Sequence, residues 1–194
     1  MNKGRYSEAE IETFAEAVLE DGFCILPEHF PKETLERWRA EFAPLLERHI
    51  AREGHLRNRG AARYYVTLPF DAPFADPAIY EDGDVLALVE RLVGEDATMV
   101  QLATDTPLVG SEYQDAHRDT PPLFPETGAE TPPFQLAVNF PLVEVTRENG
   151  PFEVARATHM MSKDEALRLI GTGERELEPV TMKLGDVMIR DVRG

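Results

Sequence analysis

Hydrophobic periodicity changes character near residue 97, and that change limits what the chain can fold into. Before it, apolar residues recur at the three-to-four spacing of amphipathic helices; after it come short apolar runs separated by proline, glycine and acidic turns. Ser7 followed by Glu10 forms a capping-box pattern that opens a helix to about Glu20, with Ile11, Phe14, Ala15 and Val18 on one face. Asp21-Gly22 ends it, and residues 23–27 read as a short buried strand. Pro31 suits the first turn of a long helix to about Glu53, striped by Leu35, Trp38, Phe42, Leu45 and Leu46. Trp38 falls in that stripe and reads as core, with a stacking platform as the functional alternative. A strand over 63–68 and a helix over 79–93, stopped by Gly94, complete the first part. Beyond it, strand-like runs lie at 98–103, 134–140, 152–155, 180–182 and 187–189, with one short helix from Ser162 to Gly171. Helices first and many short strands later predict one α+β domain over 1–194: a mainly helical part, 1–96, and a β-sandwich or barrel, 97–194.

Composition excludes several functions. A single cysteine, Cys24, rules out a disulfide framework and a cysteine-based zinc site within one chain; its place in Phe23-Cys24-Ile25-Leu26 makes it a small buried hydrophobe. A net charge of −16, from 36 acidic and 20 basic side chains, repels phosphate backbones, so no nucleic-acid partner is expected. No apolar run approaches the ~20 residues that span a bilayer, and the first residues lack the apolar core of a signal peptide. A soluble, cytoplasmic protein without a membrane partner is the expectation. The one basic stretch, Arg48 to Arg59, reads as a solvated helix end, with contact to an anionic ligand as its alternative.

The chemistry concentrates in Tyr113-Gln114-Asp115-Ala116-His117-Arg118-Asp119-Thr120. On a strand His117 and Asp119 share a face, and an imidazole and a carboxylate one residue apart can chelate one metal ion. That is two thirds of the 2-His-1-carboxylate triad of non-haem Fe(II) oxygenases, but a plain His–Asp hydrogen bond has the same spacing. Its context is more specific. An apolar run, 134–143, leads into Thr146-Arg147-Glu148-Asn149-Gly150-Pro151, then Ala157-Thr158-His159, then Leu184-Gly185-Asp186-Val187-Met188-Ile189-Arg190-Asp191. This order, over residues 98–194, resembles the phytanoyl-CoA dioxygenase family of Fe(II)/2-oxoglutarate-dependent oxygenases.

The resemblance implies a double-stranded β-helix (a jelly roll, or cupin-like barrel) elaborated by N-terminal helices, with iron at one mouth. His117 and Asp119 carry over as metal ligands, and Asn149-Gly150-Pro151 as a structural turn. His159 corresponds to a hydrogen-bonding loop residue. Gln101 and Tyr113 correspond to positions that help bind the co-substrate, although Gln101 can equally satisfy neighbouring strand backbone. Arg118 and Phe124 would lie near the mouth, facing substrate; their plainer readings are a solvated cation and a loop anchor. The implied reaction uses Fe(II), 2-oxoglutarate and O2 to hydroxylate a small-molecule substrate. A carboxylate at Asp119, where halogenating relatives carry Gly or Ala, favours hydroxylation or desaturation over halogenation. The family's second metal-binding His and the Arg that holds the 2-oxoglutarate C5 carboxylate would fall beyond Asp191-Val192-Arg193-Gly194. The last barrel strands are therefore expected to be missing, through truncation or in a degenerate jelly-roll binding protein without a complete triad. Substrate identity and oligomeric state stay open.

Overall fold

The computed structural model describes residues 4–54 and 59–194, which form a mixed helix-and-sheet structure. Helix α1 (Glu8–Asp21) starts at the predicted capping box: Glu10 N–H donates to Ser7 Oγ (3.4 Å) and Ser7 N–H to Glu10 Oε2 (2.8 Å). Gly22, at φ +94°, ends α1 and turns the chain into strand β1 (Phe23–Leu26). Helix α2 (Lys32–Glu53) begins one residue after Pro31, which precedes the first turn rather than standing in it, and buries Leu35, Trp38 and Phe42. Trp38 is 1% exposed and meets Phe74 and Phe140 edge-on, so the core reading of this residue holds.

Two expectations shift. The helix expected over 79–93 is two helices, α3 (Pro77–Tyr80) and α4 (Gly83–Val93). Asp82 breaks it, because its Oδ1 accepts the N–H groups of Asp84 (3.2 Å) and Val85 (3.0 Å) and starts α4 afresh. The strand expected at 98–103 instead occupies Ala103–Pro107 (β3), where it pairs antiparallel with β2 (Arg63–Thr67) from Arg63↔Pro107 to Thr67↔Ala103. Hydrogen bonding to the partner, not apolarity, sets the register: Met99 and Val100 lie exposed before β3 begins.

The rest of the described sheet structure centres on β7 (Val187–Asp191), the middle of a three-stranded antiparallel sheet ordered β1-β7-β4, where β4 is Leu136–Asn139. Its alternation divides the interior. Val187 and Ile189 face the larger core with Leu26, Phe30, Leu35, Trp38 and Leu88; Met188 faces a smaller one with Phe23, Val154, Val180 and Met182. The smaller core is covered by β5 (Phe152–Val154) paired with β6 (Glu178–Val180). Helix α5 (Lys163–Thr172) is capped by Ser162, as expected. The Gly-Asp pair before β7 has a structural task. Gly185, at φ +104°, offers its carbonyl to the N–H groups of His29 (2.7 Å) and Phe30 (2.9 Å), and a Cβ there would stand 3.2 Å from the Phe30 carbonyl oxygen. Asp186 accepts from Glu28 N–H (2.8 Å) and Lys183 N–H (2.7 Å). Within the described residues no helix is long and apolar enough to cross a membrane.

Candidate metal centre

His117 and Asp119 do not stand on a strand; residues 111–122 are irregular. A local bond and a single tether replace the expected ladder: His117 Nδ1 lies 2.7 Å from the Asp115 carbonyl oxygen, and Asp119 N–H donates to the Val192 carbonyl (3.0 Å), just past β7. The two side chains still meet, with His117 Nε2 3.5 Å from Asp119 Oδ1, each about two-fifths exposed. With Nδ1–H given to the Asp115 carbonyl, the Nε2 lone pair points toward the carboxylate, the tautomer that a metal-bound imidazole needs. Two donors each about 2.1 Å from one ion stand roughly 3 Å apart at a right angle, so the pair fits a divalent metal with little movement. The other carboxylate oxygen, Oδ2, is paired with the guanidinium of Arg190 from β7.

The remaining expected site residues are scattered. Arg118, between the two candidate ligands, points the other way and is buried: it pairs with Glu130 (2.6 Å) and donates to the carbonyls of Thr158 (3.2 Å) and Met161. It is neither a solvated cation nor open to substrate. Phe124 is half-exposed and precedes a single 3-10 turn (Pro125–Thr127). Gln101 and Tyr113 are exposed, and among the described residues neither hydrogen-bonds to His117 or Asp119. His159 is 1% exposed with Nε2 3.2 Å from the Leu19 carbonyl oxygen, and burial lowers its pKa below 6.5. It is a packed hydrogen-bonding residue, as expected. Asn149 closes its turn by accepting from Thr146 N–H (2.8 Å) and donating to the Glu144 carbonyl (2.7 Å), while Gly150 takes φ +81°. Of the basic stretch, residues 55–58 lie outside the described residues; Arg52 pairs with Glu53 at the end of α2.

Two groups escaped the sequence reading. One is the buried set Arg118–Glu130–Arg193–Asp191: Arg193, 1% exposed, pairs with Asp191 (2.6 Å) and Glu130 (3.2 Å). Only Asp191 of the four stands in a strand, and a charge at the end of the otherwise apolar β7 was the one visible signal of the set. The other is His29, Asp82 and Asp84, which among the described residues form the one set of three possible metal ligands within 4.8 Å of one another. Their contacts are structural. His29 Nε2 lies 2.7 Å from Asp82 Oδ1, Asp82 caps α4, and Asp84 accepts the N–H groups of Arg5 (2.7 Å) and Tyr6 (3.2 Å). Burial pushes the Asp82 carboxyl up, but hydrogen bonds from His29 and Val85 outweigh it and the net direction is down.

Solved structures share the fold, among them the following three. EvdMO1 matches at a TM-score of 0.64 with 21% identity over 94% of this chain. The epimerase SnoN in complex with Fe3+, alpha ketoglutarate and nogalamycin RO matches at 0.63, with 22% identity, over 96% of this chain and 76% of SnoN. EctD from S. alaskensis with bound Fe matches at 0.66, with 18% identity, over 99% of this chain and 70% of EctD. The chain spans 44% of EvdMO1. The sequence pattern of the phytanoyl-CoA dioxygenase (PhyH) family matches residues 18–193, and the chain belongs to that family. The match begins at Val18, within α1, so it takes in α2, α3 and α4 as well as the strands beyond residue 98.

Proposed function

We propose that this chain carries two protein ligands, His117 and Asp119, for the Fe(II) of a 2-oxoglutarate-dependent oxygenase, built on a double-stranded β-helix and hydroxylating a small molecule. The observation that carries the reading is the facing of His117 Nε2 and Asp119 Oδ1 at 3.5 Å, with Nδ1 already committed to the Asp115 carbonyl. Family membership supports it, as do SnoN and EctD, whose structures hold iron and, in SnoN, alpha ketoglutarate. When bound, Fe(II) with 2-oxoglutarate and O2 supplies the oxidising power; the protein positions substrate and excludes water. Here His117 and Asp119 hold the ion. Gln101 and Tyr113 are assigned to the co-substrate side and Phe124 to the substrate side; the family resemblance supports these assignments, and their exposure leaves them open to ligand. Arg118 has a different role: it ties the two ends of the 118–131 loop together through Glu130 and anchors them to the carbonyls of Thr158 and Met161. Hydroxylation is the proposed reaction because Asp119 keeps a carboxylate in the ligand set.

A second reading is a jelly-roll binding protein that does not complete a metal triad. It draws on the absence, among the described residues, of a third His, Asp or Glu grouped with His117 and Asp119. Calorimetric titration with Fe(II) under argon separates the two. The oxygenase reading predicts one ion per chain, with binding lost in His117→Ala and Asp119→Ala; absence of binding by the unaltered protein supports the second.

A further inference from the structure

Asp119 has two oxygens and they are treated differently. Oδ1 faces His117 Nε2, while Oδ2 is held by the Arg190 guanidinium. Arg190 is held on several sides. Its backbone lies in the central strand, opposite Phe23 on one side and Ala137 on the other. Its Nε–H donates to Asn139 Oδ1 (3.2 Å), its guanidinium lies 4.7 Å over the Phe152 ring, and the residue is 8% exposed. Asp119, by contrast, stands in an irregular segment, where its backbone N–H donates to the Val192 carbonyl just past β7.

We propose that Arg190 is a positioning residue for the metal centre: by engaging Asp119 Oδ2 from a rigid strand, it turns Oδ1 toward His117 Nε2 and makes Asp119 a one-oxygen ligand. The inference rests on the reading of His117 and Asp119 as metal ligands. A cation beside the site also repels a divalent ion, so two effects of opposite sign are present. The geometry decides between them. The guanidinium holds Oδ2, not the Oδ1 that meets His117, and the planar fork bound to both Asn139 and Asp119 pre-organises a carboxylate whose own backbone is not in a strand. Groups that orient a metal ligand in this way typically matter 10–100-fold in affinity. Arg190 is thus to Asp119 what the Asp115 carbonyl is to His117.

Mn(II) affinity, read from the electron paramagnetic resonance signal of free and bound ion, tests this on the whole chain. The unaltered protein should bind in a manner lost in His117→Ala. Arg190→Met should weaken binding about 10-fold or more, and Arg190→Lys, which returns a cation to Oδ2, should recover part of the loss. Asn139→Ala leaves Arg190 in place but frees its guanidinium, and should give a smaller loss in the same direction; it reads the effect if Arg190→Met does not fold. A folded Arg190→Met or Asn139→Ala protein that binds Mn(II) as tightly as the unaltered protein, or more tightly, overturns the positioning role and leaves the ligand assignment standing. Absence of His117-dependent binding in the unaltered protein overturns the ligand assignment and the inference with it.

Discussion

His117, Arg118 and Asp119 are consecutive, and their fates show what single residues reveal. The spacing of His117 and Asp119 brings their donors together even without the strand that the spacing suggested, because a hydrogen bond to Asp115 and a tether to Val192 do the same work. Arg118 is the residue that spacing could not assign: whether a cation meets solvent, substrate or a buried carboxylate depends on Glu130, twelve residues away in a loop without pattern. Cys24 was legible from its apolar neighbours alone, and burial pushes its thiol up to about 12. It should resist iodoacetamide at pH 8 in the native state and react fully in urea, as read by intact mass. His159 makes a pH prediction. Burial lowers its pKa in the folded state, so between that value and 6.5 the unfolded chain binds more protons than the folded one. The stability it allows is complete above about pH 6.5 and is lost as pH falls through that window. Urea midpoints measured from pH 7.5 to 5 should decline less steeply in a His159→Gln protein that folds.

Elements were legible where a local signal and the tertiary structure agree. The α1 capping box, the Gly22 stop and the Ser162 cap all appear where the sequence puts them. Ser7→Ala should cost about 1 kcal/mol of stability in urea denaturation. The split between α3 and α4 was also written in the chain, as an Asp-Gly pair, but the apolar period running through it hid the break. β3 was misplaced for a different reason: a strand's position belongs to the pair, and β2 selects 103–107 over the more apolar residues before it. β7 shows how burial ranks elements. All five of its residues are buried, and Ile189 is fully so. Ile189→Ala should destabilise by about 2–5 kcal/mol in urea denaturation, more than an alanine substitution at an exposed helix position.

At the scale of the molecule, β7 joins fold to site. Its apolar residues divide two cores, Arg190 near its end reaches Asp119, and Arg193, two residues past it, reaches Glu130 and through Glu130 Arg118. Beyond the charges that close the apolar run 187–191, this was not visible before the fold, since it depends on a loop at 118–131 returning to the end of a strand some sixty residues later. The family's order of motifs could be read early because each motif has its own local chemistry: Gly185 and Asp186 hold the 28–30 turn, and Asn149 closes its own. Removing one member of a buried ion pair strands its partner, so Glu130→Ala should cost about 3–5 kcal/mol, and limited proteolysis should then cut first in the 118–131 loop.

The central claim is that His117 and Asp119 hold iron in company with 2-oxoglutarate. Visible absorption under argon tests it most directly. Fe(II) and 2-oxoglutarate added together to the unaltered protein should produce a charge-transfer band, absent with either one alone and abolished in His117→Ala and in Asp119→Ala. A band that survives either substitution would contradict the ligand assignment, and no band in the unaltered protein would contradict the oxygenase reading itself.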